Sequence, residues 1–306
     1  MYEAYYGLQE KPFGITPDPR YLFLSRTHQE ALAHLLYGLS NRVGFIAVIG
    51  EVGSGKTTIL RALSAQLDES AYRLGLIFNP RLTPIGLLQS INSEFGLPGR
   101  SRSTATLVRE LNDFLLAENR SGRTPVLIID EAQNLAAGVL EQIRLLSNLE
   151  TARDKLIQIV LVGQPEMAQL LTQPGLRQLN QRIVVRCRLD ALDCAESRAY
   201  VLHRLKVAGR ADGLLFTPSA LNEVHRCSGG YPRLINIICD RALLLSYAES
   251  RGQVTAPDVR LAAREVAGSD LAADGARWRS LVNNWFGWLL RPLRRSQSRI
   301  SKKVWR

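Results

Sequence analysis

The chain has 306 residues, of which 46% are hydrophobic and 22% are charged. This composition supports a core for one large domain or two modest ones, and it excludes a fully disordered chain, a collagen-like chain and a small disulfide-rich scaffold. The 39 Lys and Arg residues exceed the 28 Asp and Glu residues, for a formal net charge of +11. Nine of the basic residues lie in 277–306, a segment without acidic residues, so residues 1–276 carry a net charge of only +2. The charge therefore predicts an acidic partner for the C-terminal segment and argues against a basic nucleic-acid surface elsewhere.

The N-terminus and the cysteines indicate the compartment. The first residues lack the basic and apolar regions of a secretory signal, and no stretch of about 18 apolar residues occurs in the sequence. Four cysteines fit no metal-binding spacing and are expected to be free, buried thiols: Cys187, Cys194, Cys227 and Cys239. We therefore expect a cytoplasmic location for the body of the protein.

The predicted elements begin with an aromatic, proline-rich N-terminal arm at 1–26. Thr27 is predicted to open a helix, with Glu30 completing a capping box. Short apolar runs then predict five strands, at 45–50, 74–78, 125–130, 156–163 and 182–189. Helical periodicity between them predicts helices near 56–67, 84–95, 104–117 and 137–149. The alternation of strands and helices predicts a parallel sheet covered by helices on both faces.

The strand pattern stops after Leu192. Helical patterns follow near 194–208, 218–227, 231–249 and 256–267, and they predict a small all-α domain. The predicted organisation is an N-terminal arm with the first helix (1–40), an α/β domain (41–192), a helical domain (193–268) and a linker with a basic tail (269–306).

The strongest motif follows the first predicted strand and opens the next helix. It matches the phosphate-loop pattern GxxxxGK[ST], with Thr58 directly after it: Gly50, Glu51, Val52, Gly53, Ser54, Gly55, Lys56 and Thr57. The glycines let backbone N–H groups point at phosphate oxygens, and the helix N-terminus adds partial positive charge. Lys56 is predicted to reach the β- and γ-phosphates and the Thr57 hydroxyl to bind Mg²⁺, so the expected ligands are ATP and Mg²⁺.

Two acidic residues end the predicted strand at 125–130. Asp130 is expected to hold Mg²⁺, directly or through water, and Glu131 to activate a water for attack on the γ-phosphate. The pair lies about 75 residues after the phosphate loop, and a further predicted strand separates the two. By analogy with known folds, this order favours a hydrolysing ATPase.

Five strings in order resemble the AAA+ ATPases, and among them the general secretion pathway protein A family. These strings are the phosphate loop, IIDEAQNL at 128–135, VLVGQPEM at 160–167, LRQLNQRI at 176–183 and GGYPRLIN at 229–236. The N-terminal segment also resembles the opening of that family, so the resemblance covers about residues 1–265. It implies the α/β fold of a P-loop NTPase (AAA+), with a parallel sheet followed by a small all-α lid domain.

The resemblance also implies roles that spacing alone does not assign. Gln164 matches the first sensor position, which contacts the γ-phosphate or the attacking water. Arg233 matches the second sensor, on the lid. Arg182 matches an arginine finger donated to the nucleotide of a neighbouring subunit, with Arg177 as the second choice, because a fixed guanidinium neutralises charge on the γ-phosphoryl group. A finger in trans implies a homo-oligomer whose assembly depends on ATP.

The segment 277–306 holds all four tryptophans of the chain together with its nine cations. Apolar residues at helical spacing over 281–289 predict an amphipathic helix, which Pro292 is expected to end. Tryptophans flanked by arginines suit an anionic membrane surface, so we expect a location peripheral to the inner membrane. Docking of the segment on the lid or on a partner protein, and a solvated tail, are the alternatives.

The leading functional prediction is a Mg²⁺-dependent ATPase that drives assembly or remodelling of a membrane-associated complex. The resemblance implies a secretion or pilus-like apparatus as the partner. A DNA-binding AAA+ ATPase of the transposition-regulator type is the alternative, but the nearly neutral charge of 1–276 disfavours a DNA-coating surface. A pseudo-enzyme that only binds ATP is a third hypothesis, against which Glu131 argues.

Overall fold

The computed structural model describes residues 1–16, 18–78, 82–151 and 154–270. Its contacts divide the chain into two compact units. The sheet unit comprises Thr16–His203 and Gly229–Leu234, and the helical unit comprises Met1–Ile15, Arg204–Ser228 and the described residues from Ile235 to Asp270. The basic tail at 277–306 lies outside the described residues, as does most of the linker that precedes it. The predicted domain limits remain predictions.

Five parallel strands form the sheet: β1 (Phe45–Gly50), β2 (Tyr72–Ile77), β3 (Thr124–Ile129), β4 (Gln158–Gly163) and β5 (Ile183–Leu189). Their order across the sheet is β2-β3-β4-β1-β5, and every pairing is parallel. This confirms the predicted fold class. Because β4 lies between β1 and β3, the segments that follow these three strands are neighbours at the carboxyl edge of the sheet, where open α/β sheets place their ligand sites.

The helices are α1 (Tyr2–Tyr5), α2 (Arg26–Ser40), α3 (Lys56–Gln66), α4 (Pro84–Glu94), α5 (Thr104–Arg120), α6 (Ala137–Leu146), α7 (Pro165–Leu171), α8 (Arg177–Arg182), α9 (Cys194–Val207), α10 (Pro218–Ser228), α11 (Pro232–Ala248) and α12 (Ala256–Asp270). The sequence pattern does not predict α1, α7 and α8, which are short. The predicted fifth strand starts one residue too early, because Arg182 ends α8.

Side chains alternate along the central strands, so each strand contributes to both faces of the sheet. Phe45 and Leu161 pack in one core with α4, α5 and α6. Ile46 and Val160 pack in the opposite core with α2 and α3. Every residue of β3 and β4 is buried, as expected for parallel strands covered on two faces. Truncation of a fully buried core leucine such as Leu161 to Ala would cost about 2–5 kcal/mol of stability.

The first long helix begins earlier than the sequence predicts. Ser25, not Thr27, caps α2: its backbone is extended and its hydroxyl accepts a hydrogen bond from the backbone N–H of His28. The predicted capping box is wrong, because Glu30 lies on the exposed face and pairs with Arg26 at 3.4 Å. Ser and Thr are both good caps, so only the backbone conformation identifies which of the two serves.

The N-terminal segment is ordered within the helical unit by hydrogen bonds to its backbone. The N–H of Gln9 donates to the carbonyl of Ala208 at 2.9 Å. The buried guanidinium of Arg204 donates to the carbonyls of Pro12, at 2.5 Å, and Gly14, at 3.1 Å. A charged group with several acceptors satisfies the backbone of an irregular segment that has no sheet or helix partner of its own.

The four cysteines are free thiols, as predicted, but not all are buried. Cys187 and Cys239 are buried, and burial raises the pKa of Cys187 to about 11, which keeps this thiol protonated and unreactive at neutral pH. Cys227 is half-buried, whereas Cys194, at the start of α9, is exposed. The expectation of burial is therefore wrong for Cys194, because the first turn of a surface helix leaves its side chain in solvent.

Candidate nucleotide-binding site

The phosphate loop, Gly50–Thr57, joins β1 to α3 at the carboxyl edge of the sheet. Gly53 and Gly55 have φ angles of 77° and 97°, in the region that glycine occupies without strain. A Cβ atom on Gly53 would lie 2.7 Å from Cβ of Arg233, and one on Gly55 would lie 2.4 Å from Nε2 of His28. The loop therefore requires glycine at both positions, for backbone conformation and for space.

The amino end of α3 has the properties of an anion site. Gly55 occupies the N-cap position and supplies no side-chain cap, whereas α2, α4 and α5 are each capped by a Ser or Thr hydroxyl. The first N–H groups of a helix need partners, and phosphate oxygens can supply them. Within the described residues, the buried Ser54 hydroxyl also has no hydrogen-bond partner. The uncapped helix and this hydroxyl fit an acceptor-rich ligand such as a triphosphate.

Lys56, the first residue of α3, is only 7% exposed. Its Nζ donates to the carbonyls of Gly50, at 2.9 Å, and Glu51, at 3.0 Å. Burial lowers the pKa of Lys56, and the nearby carboxylates of Glu131 and Asp130 oppose that shift. The loop thus holds a buried ammonium group that faces two acidic side chains, a charge arrangement suited to phosphates with a metal ion.

The acidic pair follows β3, as predicted. Asp130 is buried, and one of its carboxylate oxygens accepts a hydrogen bond from the N–H of Glu131 at 2.8 Å. Burial is the main cause that raises the pKa of Asp130. Glu131 has a φ angle of 54°, a left-handed conformation that is strained for a residue with a side chain. The backbone therefore turns sharply at Glu131, and both carboxylates lie directly after the carboxyl end of β3.

Two amide side chains hold the Glu131 carboxylate. Nε2 of Gln133 and Nε2 of Gln164 both donate to Oε2 of Glu131, at 2.5 Å and 3.2 Å. Oε1 of Gln133 accepts in turn from the backbone N–H of Gln164, at 3.0 Å. A Cβ atom on Gly163 would lie 2.9 Å from that Gln133 oxygen, so the glycine leaves space for the contact. Sequence reasoning found Gln164 but missed Gln133, although Gln133 belongs to the IIDEAQNL string.

Arg233 lies beside the phosphate loop at the beginning of α11. Its backbone N–H points at the carbonyl of Gly53, at 3.5 Å, and its side chain is exposed. The preceding turn is set by Gly230, whose carbonyl accepts from the N–H of Leu192 at 2.9 Å. A Cβ atom on Gly230 would lie 2.0 Å from the Leu192 carbonyl oxygen, so only glycine fits. The structure therefore brings Arg233 to the loop, and its role as the second sensor stays a prediction.

Arg182 is not brought to these residues within one chain. It ends α8 and donates to the carboxyl end of α6: to the Arg144 carbonyl at 3.2 Å, to Oδ1 of Asn148 at 2.7 Å and to the Ser147 hydroxyl. A cation at that end of a helix is favourable, because the last carbonyls lack partners. Arg177 is exposed and, in the described part of the chain, has no hydrogen bond or ion pair. The trans role of either arginine stays a prediction.

His28 is a second residue that sequence reasoning missed. It lies in the first turn of α2 and is 2% exposed. Its Nε2 lies 2.9 Å from the Ser54 carbonyl oxygen and its Nδ1 lies 2.6 Å from the Ser25 hydroxyl. Burial lowers the pKa of His28. A lone histidine in an amphipathic helix gives no signal in one sequence, so only the tertiary structure shows that it touches the phosphate loop.

A phosphate loop after β1, an acidic pair after β3 and an amide after β4 define a P-loop NTPase of the AAA class. A sequence model of the AAA domain matches residues 40–171. General secretion pathway protein A of Aeromonas hydrophila is 47% identical over 300 residues, which cover 94% of this chain and 54% of that protein. The chain therefore contains an AAA domain and is related to general secretion pathway protein A, of which it spans about half the length.

Solved structures show the same fold at low sequence identity. CDC6P of Pyrobaculum aerophilum has a TM-score of 0.63 and 22% identity, over 83% of this chain and 70% of that chain. The ORC2 protein of Aeropyrum pernix, solved as ADPNP and ADP complexes, has a TM-score of 0.62 and 21% identity, over 84% of this chain and 72% of that chain. At such identities the likeness establishes the fold alone.

Two features are absent from the described ranges. No helix in 1–16, 18–78, 82–151 or 154–270 is long and apolar enough to cross a membrane. The same residues contain no cluster of three or more His, Cys, Asp and Glu side chains that could hold a metal ion by itself.

Proposed function

We propose that this chain is a Mg²⁺-dependent ATPase that binds ATP at the phosphate loop and hydrolyses it to ADP and phosphate. The observation that carries the proposal is the Glu131 carboxylate, which two glutamine amides hold and whose charge acts on the buried Lys56. An oriented carboxylate beside a phosphate-binding ammonium is the arrangement that water activation requires.

The loop residues would bind the triphosphate. The N–H groups from Gly53 to Thr58 would donate to phosphate oxygens, and Lys56 would exchange its two carbonyl partners for the β- and γ-phosphates. Thr57, whose side chain is exposed, and Asp130 would hold Mg²⁺, which neutralises charge on the phosphate oxygens when it is bound. Asp130 would bind the ion as the carboxylate.

Glu131 would act as the general base. Its carboxylate accepts a proton from a water whose oxygen attacks the γ-phosphorus, and the bond from that phosphorus to the bridging oxygen breaks with its electron pair leaving on ADP. Both amide donors contact the same carboxylate oxygen, Oε2, which leaves Oε1 for the water. Gln164 would also contact the γ-phosphate or the water, and the Arg233 guanidinium would neutralise developing charge.

A second copy of the chain would complete the site. We assign the finger to Arg182 and keep Arg177 as the second choice. Within one chain Arg182 donates to the end of α6 and not to the loop or to Glu131, so contact with a nucleotide would come from a neighbouring subunit. A homo-oligomer that forms with ATP follows from this assignment.

The biological role proposed here is assembly or remodelling of a secretion or pilus-like complex at the cytoplasmic face of the inner membrane. The support is the 47% identity to a protein named for the general secretion pathway. The cations and tryptophans of 277–306 would contact anionic lipid. Co-sedimentation with anionic and with neutral vesicles tests that contact, and equal binding to both would contradict its electrostatic basis.

Calorimetry with ATP and Mg²⁺, followed by a phosphate-release assay, tests the central proposal. The wild-type chain should bind and turn over ATP, whereas Glu131→Gln should bind ATP and lose turnover by a factor of about 10² to 10⁴. A pull-down with the ATP-loaded Glu131→Gln variant from membranes then identifies the partner. A folded wild-type chain that binds no nucleotide would contradict the proposal, and capture of nucleic acid alone would favour the DNA-binding alternative.

A further inference from the structure

His28 joins the start of α2 to the phosphate loop. Its imidazole is buried, and each ring nitrogen lies within hydrogen-bond distance of one partner. Nδ1 lies 2.6 Å from the Ser25 hydroxyl, and Nε2 lies 2.9 Å from the Ser54 carbonyl oxygen. Ser25 caps α2, whereas Ser54 belongs to the loop that precedes α3. One side chain therefore connects two segments that are separate in sequence.

The partners determine where the imidazole carries its proton. A carbonyl oxygen can only accept, so Nε2 of His28 carries the hydrogen and donates to Ser54. Nδ1 is then unprotonated and accepts from the Ser25 hydroxyl. The neutral ring uses both nitrogens in this arrangement, and the lowered pKa of His28, which its burial causes, keeps the ring neutral at neutral pH.

The donated hydrogen bond acts on one peptide group of the loop. The Ser54–Gly55 peptide is trans, so its N–H points opposite to its C=O. When His28 binds the Ser54 carbonyl, it therefore also fixes the direction of the Gly55 N–H, away from the histidine ring. The close approach of Gly55, where a Cβ atom would lie 2.4 Å from Nε2, leaves little space for the peptide to rotate.

Hydrogen bonds to the side chain of Glu196 hold the start of α2, the helix that carries His28, in place. The backbone N–H of Arg26 donates to Oε1 of Glu196 at 3.0 Å, and Oε2 of Glu196 accepts from the N–H of Asp193 at 3.1 Å. Glu196 thus binds the amino ends of α2 and α9 together. In the described residues, its carboxylate is the one charged group with an effect on the pKa of His28, and it opposes the lowering by burial.

We propose that His28 is a positioning residue of the nucleotide site, which holds the Ser54–Gly55 peptide so that the Gly55 N–H is presented to a phosphate group. The proposal rests on the proposed function, because it requires that the loop binds phosphate. It assigns no chemical step to the imidazole, which faces the outer side of the loop.

A pair of amide variants tests the geometry. The amide nitrogen of Gln reaches about the place of Nε2, whereas that of Asn reaches only about the place of Nδ1. His28→Gln should therefore bind ATP and ADP within about threefold of wild type, and His28→Asn should bind about tenfold more weakly. His34→Leu, at an exposed position of the same helix, should change nothing.

Dissociation constants are measured by calorimetry with Mg²⁺, on chains whose folded state is verified by circular dichroism. A merely structural role would lower the melting temperature of both amide variants and leave their affinities equal, which would overturn the proposal. Wild-type protein is measured first, since failure of wild type to bind nucleotide would contradict the proposed function, whereas equal affinities of the two variants would contradict only the role of His28.

Discussion

The side-chain amides of Gln133 and Gln164 donate to the same carboxylate oxygen of Glu131. Nε2 of Gln133 lies 2.5 Å from that oxygen and Nε2 of Gln164 lies 3.2 Å from it. Glu131 is in a left-handed backbone conformation, so its side chain depends on these two amides as well as on its own backbone for orientation. Hydrogen bonds to a charged group are worth about 1.5–3 kcal/mol each, enough to select one rotamer of this half-buried carboxylate.

Replacement of Gln133 should impair turnover more than binding. Gln133→Ala removes one donor from the Glu131 carboxylate and leaves the phosphate loop intact, so we expect kcat to fall by about tenfold to a hundredfold with a small change in nucleotide affinity. Steady-state phosphate release and calorimetry separate the two effects. Gln178→Ala, at an exposed position of α8, is the matched control. A proportional loss of affinity in Gln133→Ala would show that the residue supports the loop instead.

Replacement of Lys56 should abolish nucleotide binding without lowering the stability of the ligand-free protein. Burial disfavours the charged form of Lys56, as its lowered pKa indicates, so Lys56→Met should not lower the melting temperature of the ligand-free protein. The same variant should lose the stabilisation by nucleotide, which for wild type is about 2.7 kcal/mol at a ligand concentration one hundred times Kd. Thermal melts with and without Mg²⁺ and ADP measure both. A lower melting temperature without ligand would mean that the two carbonyl hydrogen bonds of Lys56 outweigh its desolvation.

Asp130 should destabilise the ligand-free protein at neutral pH. Burial raises its pKa above the ordinary value of 3.8, so the folded state binds the proton more tightly than the unfolded state does. Asp130→Asn should therefore be more stable than wild type at neutral pH. The difference should shrink as the pH falls through the raised pKa of Asp130, because wild type then gains stability on protonation while the variant does not.

Urea denaturation of wild type and Asp130→Asn at several pH values, from neutral to about 4, measures this difference. The comparison removes the contribution of other carboxylates, which titrate in both proteins. A gap that widens towards acid pH would contradict the assignment. The same variant should lose the dependence of nucleotide affinity on Mg²⁺ if Asp130 holds the ion.

Mixed oligomers test the arginine in trans. Arg182→Ala should retain ATP binding and lose turnover by a factor of about 10³ or more. It should also be slightly less stable, because Arg182 binds the carboxyl end of α6. When Arg182→Ala is mixed with Glu131→Gln, some sites combine an intact Glu131 from one copy with an intact Arg182 from the other, and activity should return.

The same mixing experiment with Arg177→Ala distinguishes the two arginines. Arg177 is exposed, so its replacement should leave the stability of the fold unchanged. If Arg177→Ala loses turnover and is rescued by Glu131→Gln, while Arg182→Ala stays active, the finger is Arg177 and Arg182 is a helix-capping residue. An Arg182→Ala variant that cannot bind ATP would contradict a trans role for that residue.

The sequence by itself determined the elements and motifs that depend on local pattern. Continuous apolar runs identified the five strands, since parallel strands covered on two faces need apolar residues throughout. GxxxxGK[ST] with Asp130 and Glu131 predicted the candidate site, because phosphate and metal binding require those residue types in order. The short helices α7 and α8 were not predicted, because they contain too few turns for a periodic pattern. The start of α2 was predicted at Thr27 and not at Ser25, because the two residues have the same capping chemistry.

Only the tertiary structure decided which distant side chains meet at the site. Gln133 and Gln164 share one Glu131 oxygen because β4 lies beside β3, and His28 meets Ser54 because α2 packs with α3 on one face of the sheet. Arg182 binds α6, although its sequence context matches a residue that acts on a neighbouring copy. Hydrogen bonds of this kind depend on positions within a few tenths of an ångström, which the packing of the whole sheet unit sets and no local pattern records.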